Sequence, residues 1–166
     1  MRVFRYFQII MLGSSSVAIN FAISKKSIYA LRGLFELASR NTDEPVKIRE
    51  LAEAQGIPSR FLEVIFSELR RAGFVDSRRG ADGGYVLATA PKGVTVGAIL
   101  RYVQGSKPDP DPYFGGPRGH RGDFAFGRFW QELNAAVADV ADGTTLADLV
   151  KYDRRSDKAY VPDYVI

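Results

Sequence analysis

The chain has 166 residues, 46% apolar and 25% charged, with no cysteine, a single histidine and a formal net charge of +4. That length suits one domain with an extension, or two small ones, and is enough to bury a core. The missing cysteines exclude disulfide frameworks, zinc ribbons, thiol nucleophiles and cysteine-ligated iron–sulfur clusters, and one histidine (His120) excludes two-histidine metal helices. Charge is unevenly spread, +3 over Ser24–Lys92 and −2 over Ser106–Ile166, as in a polyanion-binding module joined to a second part.

Residues 1–23 read as an extension. Arg2 and Arg5 precede the apolar stretch Phe7–Leu12, which contains Gln8 and stops at Gly13. The stretch falls short of a secretory signal and of the roughly 18 apolar residues of a membrane span. The expectation is a mobile extension, arising from an upstream start codon, because Met11 could serve as the initiator. The expected location is the cytoplasm, without a membrane partner.

From Ser24 a helical pattern begins, with Ile28, Leu31, Phe35 and Ala38 at three- and four-residue spacing and Ser24 or Ser27 as the cap. Turn chemistry at Asn41–Pro45 ends it. A short second helix spans Ile48–Gln55, with Ile48, Leu51 and Ala52 on one face, and Gly56 breaks it. The third helix starts near Pro58 or Ser59, with Phe61, Leu62, Ile65, Phe66 and Leu69 expected as its buried stripe. Gly73 closes it in a left-handed cap. Phe74-Val75 and Tyr85–Leu87 read as two short strands, followed by a turn at Pro91–Gly93 and a helix over Thr95–Val103. Gly105–Gly122 holds five glycines and four prolines and reads as a loop. Phe126, Phe129, Trp130, Leu133, Val137 and Val140 then mark a long amphipathic helix that stops at Asp142-Gly143. Thr145 and Asp148 form a capping box, with Asp in place of Glu, for a last short helix. Residues 152–166 read as a polar tail.

The segment Ile48–Leu69 has helix–turn–helix spacing. Ala52 lies where two helices approach closely, and Gly56 supplies the positive φ that a tight turn needs. By itself this pattern is shared by helical hairpins of unrelated function. The basic end Arg70-Arg71 then leads into two strands joined by RRGADGG, which is the pattern of a winged helix. In such a fold the third helix enters the major groove and the hairpin tip reaches the neighbouring minor groove or backbone. A glycine-rich loop could instead cradle a nucleotide phosphate, but this one precedes a strand and opens no helix, so the helix-dipole part of a phosphate site is missing.

The runs YALRGLFELA and IRELAEAQGIPSRFLEVIFSELRRAGFVDSRRGADGGYVLA, and later FWQELNAAVADVADGTTLADLV, resemble the Rrf-two family of bacterial winged-helix regulators over about residues 24–151. The resemblance implies a mainly α fold with a small β-hairpin wing: a winged helix-turn-helix over 24–104, a loop over 105–122, and a dimerisation helix with a final short helix over 123–151. It implies a homodimer on double-stranded DNA, each protomer reading half of a palindromic operator. The family's base and backbone contacts fall on Ser59, Arg60 and Glu63 of the third helix and on Arg79 and Gly80 of the wing. Arg60 departs from the small polar residue often found at its place, so base preference is expected to differ. An arginine bonds guanine in bidentate fashion, worth about 1–3 kcal/mol of discrimination. Arg78, Lys25 and Lys26 are expected on phosphate, which gives affinity without sequence choice.

Cluster-binding members of the family carry three cysteines in the loop where this chain has SKPDPDPYFGGPRGHRGDF. A lone imidazole holds neither a cluster nor a tight structural metal, so His120 is expected to bind no metal, and no cofactor is expected. The loop is expected to cover the dimer helix or to meet an effector or partner protein. The reading is a DNA-binding regulator, a repressor, and not an enzyme. The alternative is a winged-helix module that docks a partner protein.

Overall fold

The computed structural model describes residues 23–156, apart from 41, 81 and 106–118. The expectations for the N-terminal extension, for most of the loop 105–122 and for the end of the polar tail lie outside the described residues. Ser24 opens the first helix, its hydroxyl accepting the backbone N–H of Ser27 at 3.1 Å, and α1 runs over Lys25–Arg40. The inward stripe differs from the one the apolar pattern suggested. α1 buries Ser27, Ala30, Gly33, Leu34, Leu37 and Ala38, while Ile28 is 41% exposed. Small residues form the contact surface here. A Cβ on Gly33 would lie 2.6 Å from the Phe66 ring and 3.0 Å from Leu62, so only glycine lets the third helix cross so close.

Helix α2, Ile48–Gln55, buries Leu51 and Ala52 and ends at Gly56 with φ +61°. The N–H of Ile57 turns back to the Ala52 carbonyl at 2.9 Å, which closes the tight turn. Helix α3, Ser59–Arg71, buries Leu62, Ile65, Phe66 and Leu69. Phe61 does not belong to that stripe: it is 64% exposed. The four buried residues already cover the inward arc, and Phe61 falls one helical step outside it. Gly73, at φ +78°, ends the helix; its N–H bonds to the Arg70 carbonyl at 3.1 Å and that of Phe74 to Leu69 at 3.0 Å.

Strand β1 (Val75–Arg78) pairs antiparallel with β2 (Gly84–Leu87), from Val75 opposite Leu87 to Arg78 opposite Gly84. Phe74, expected in the strand, instead completes the helix cap. A third segment joins the hairpin: Val46 exchanges two backbone hydrogen bonds with Tyr85, at 2.9 and 2.8 Å. After a short 3-10 turn at Pro91–Gly93, α4 runs over Val96–Gln104, capped by the Thr95 hydroxyl accepting the Ala98 N–H at 3.2 Å.

Helix α5 spans Asp123–Gly143 and α6 spans Leu146–Ser156, so the last helix continues beyond the expected end at 151. No glycine or proline interrupts that stretch. Leu146 is fully buried in the same core as Leu34, Leu51, Leu62 and Phe66. Backbone bonds from Val96 to Thr144 and from Leu146 to Val94, both 2.9 Å, fasten the start of α6 to the start of α4. The final helix is thus part of the winged-helix core. α5 buries only Gly127, Ala138 and Ala141. Its C-terminal end packs on Leu100, and Asp142 takes a bidentate pair from Arg101 at 2.6 and 2.5 Å. Among the described residues no helix is long and apolar enough to cross a membrane.

Candidate nucleic-acid interface

With one face of α3 occupied by the core, the helical period sets what lies opposite. The row Arg60, Val64, Ser67 and Arg71 points away from Leu62, Ile65, Phe66 and Leu69. Arg60 and Glu63 are exposed and Ser59 is half-buried at the first turn. Of the residues expected at base edges, the first helical turn therefore brings all three of the α3 members to one end of the helix.

The wing supplies the rest. Arg78 ends β1 opposite Gly84, and Arg79 and Gly80 begin the tip, all exposed. Gly80 has φ +111°, a region that favours glycine, and the Gly83 N–H bonds back to its carbonyl at 3.0 Å. A Cβ on Gly83 would stand 2.4 Å from the Arg78 carbonyl. The tip is therefore a tight turn in which two glycines are dictated by backbone shape and space.

What holds wing and helix as one surface was only partly legible. Val75 is fully buried, and the Tyr85 ring meets Phe66 edge-on at 5.1 Å. Arg70 reaches from the end of α3 to the Ser77 hydroxyl at 2.9 Å. Gly84 lies against Val46 so closely that a Cβ would fall 2.4 Å from its carbonyl oxygen. The residues Val46, Arg70, Ser77, Gly84 and Tyr85 were missed as supports of the site. The one signal that could have found any of them is the pair of glycines at 83–84, since glycine beside a strand often marks a close backbone approach.

Charge separates this surface from the rest. Elsewhere four arginines are paired with acids, Arg40 with Glu36 and Glu50, Arg49 with Glu53, Arg101 with Asp142 and Arg128 with Glu132, while Arg32 bonds the Gln55 amide oxygen. The neighbouring carboxylates also raise the Arg49 and Arg101 guanidinium pKa values, chiefly through side-chain hydrogen bonds. Arg60, Arg71, Arg78 and Arg79 make no ion pair with another described residue. Lys25 is exposed and likewise without an acid partner among the described residues, whereas Lys26 bonds Glu68 at 2.6 Å. The two lysines expected on phosphate are thus in different states.

A resident metal does not fit. The chain has no cysteine and one histidine, and no group of three potential ligands occurs among the described residues. The exposed His120 has its backbone N–H bonded to the Asp123 carboxylate, which belongs to the start of α5.

Residues 23–152 match the family model Rrf2, described as an iron-dependent transcriptional regulator. The chain is 34% identical over 145 residues to the HTH-type transcriptional regulator CymR of Bacillus subtilis, covering 84% of this chain and 96% of that protein. It is 33% identical over 129 residues to IscR of Erwinia tasmaniensis, covering 77% and 78%. The structure of CymR, the global cysteine regulator of B. subtilis, matches with a TM-score of 0.68 over 80% of this chain and 98% of that one, at 34% identity. T. potens IscR matches with a TM-score of 0.67 over 87% and 95%, at 31% identity. These relatives are transcriptional regulators and not enzymes. The iron in the family's description has no cysteine ligands to rest on here. With its helix-turn-helix, wing and long C-terminal helix, this chain belongs to the Rrf2 family of DNA-binding transcriptional regulators.

Proposed function

We propose that the protein acts as a homodimeric repressor on a palindromic operator, without an iron–sulfur cluster. Each protomer lays α3 in the major groove of one half-site and sets its wing against the adjacent minor groove or backbone. Ser59, Arg60 and Glu63 face base edges, and Arg79 and Gly80 meet the neighbouring groove. Arg78, Lys25 and Lys26 meet phosphates, Lys26 by exchanging its bond to Glu68. Repression follows from a dimer occupying promoter DNA.

The observation that carries this reading is the set of arginines at α3 and the wing, Arg60, Arg71, Arg78 and Arg79, that make no ion pair with another described residue, whereas Arg40, Arg49, Arg101 and Arg128 elsewhere are held by acids. Arginines left uncompensated on one face favour a polyanion. Dimerisation is supported by α5, which leaves Phe124, Phe126, Phe129 and Val140 exposed on a single protomer.

Fluorescence anisotropy on the protein's own promoter, with random duplex as control, tests the reading. Arg79→Ala should weaken binding to every sequence and reduce the log–log salt slope by about 1. Arg60→Ala should change base preference, with about 1–3 kcal/mol lost at one position of the half-site. Equal affinity for promoter and random DNA at physiological salt would overturn the proposal.

A further inference from the structure

The outward face of α3 carries two large apolar side chains that the fold does not use. Phe61 is 64% exposed and Val64 is 58% exposed. They are three residues apart and so are neighbours on the helix surface. Neither packs in the core cluster. Helix propensity does not explain Val64 either, because a β-branched residue is a poorer exposed helix former than the glutamine, lysine or alanine that would serve there. Its surroundings are cationic on balance: Arg60 lies one turn before it and Arg71 two turns after it on the same row, with the wing's Arg78 and Arg79 on the adjoining hairpin, against the exposed Glu63 beside it and Glu68 one turn on, which is bonded to Lys26. An apolar pair framed by uncompensated arginines fits a partner that is anionic outside and presents an apolar group within. The DNA major groove is such a partner, and the apolar group on its base edges is the C5-methyl of thymine.

We propose that Phe61 and Val64 read thymine, taking its C5-methyl between them as Arg60 and Glu63 face the polar base edges. The inference rests on the DNA-binding reading above and adds a base identity to it. Each half-site then holds a thymine that is required for its methyl group and not for its hydrogen-bonding pattern.

The test begins with the full-length chain and selection from a random duplex pool. Each thymine of the selected half-site is then replaced by uracil, which removes the methyl and keeps the base pair. At one thymine the replacement should weaken binding about fourfold (about 0.8 kcal/mol), the worth of one buried methyl-sized group. For Val64→Ala and Phe61→Ala that penalty should shrink towards onefold, as a double-mutant cycle requires of two groups in contact. Both side chains are exposed, and circular dichroism confirms that the variants remain folded. Indifference to uracil at every position overturns the inference while leaving DNA binding intact, and so does a full penalty retained in both variants. If the selection enriches no sequence and binding shows no salt dependence, the DNA-binding reading fails and this one with it. Capture of a stoichiometric protein partner lost on Phe61→Ala, with DNA affinity unchanged, also overturns it.

Discussion

At Gly84 the wing's backbone presses on Val46, and the space there admits no side chain. Simple strand statistics favour alanine over glycine by about 0.5–1 kcal/mol. The contact reverses that sign, because the obstructing atoms are backbone and cannot rotate away. Gly84→Ala should lower stability by about 1–3 kcal/mol, as overpacking does, and urea denaturation would show it as a lower midpoint with little change in slope. An unchanged midpoint would mean that the Val46–Tyr85 pair yields easily. Gly33 poses the same question between helices, where the Phe66 ring fills the place of a Cβ. Glycine appears in a sequence as a breaker or a turn, so these two packing roles were hidden, whereas the turn glycines Gly56 and Gly73 were readable from their position after a helical stripe.

Among the elements, α6 begins with a reciprocal cap. The Thr145 hydroxyl accepts the Asp148 N–H at 3.1 Å, and the Asp148 carboxylate takes the Thr145 hydroxyl at 2.6 Å and its N–H at 3.1 Å. Those bonds, the hydroxyl's first, hold the Asp148 carboxyl below the ordinary carboxylate range. The folded pKa lies below the unfolded one, so the stabilisation is complete above about pH 4 and is lost as pH falls through the folded value. The gap in Tm between the parent and Asp148→Ala should therefore be present near neutral pH and narrow under more acid conditions, as read by thermal melts across that range. A gap independent of pH would show that the carboxylate is not the group at work. Because Leu146 is buried in the main core, loosening this cap also loosens the junction of α4 with α6. The capping box was legible from two residues at the right spacing; the junction was not, since Thr95 and Thr145 are far apart in sequence.

On the scale of the whole molecule, the long helix α5 is tied down at its C-terminal end and carries exposed aromatic side chains at the other. Arg101–Asp142 and the Leu100–Ala138–Ala141 cluster fix its C-terminal part. Phe126 and Phe129 lie exposed at the other on the same side of the helix as Val140, with Phe124 exposed on the opposite side. A face of that kind exceeds what scattered surface apolar residues account for and suits a second copy of the chain. Phe129→Asp should weaken self-association at least about tenfold, given about 1.5–3 kcal/mol for a buried phenylalanine and the added charge. Sedimentation equilibrium measures it directly, and operator affinity should fall in step because half-sites would be bound singly. A dimer unaffected by the substitution would place the interface elsewhere.

The sequence by itself determined the order of helices, the positive-φ turns, the capping box and the glycine-rich wing, because each rests on residues within a few positions of one another. It also excluded a cysteine-held cluster, which is a matter of composition. Tertiary structure alone decided which face of α1 turns inward, that Phe61 stays outside the core, and that Val46 and Arg70 brace the wing. Those outcomes depend on the shapes of surfaces brought together from distant parts of the chain. Spacing marks a residue as apolar, but only the packing of its neighbours settles whether room remains for it inside.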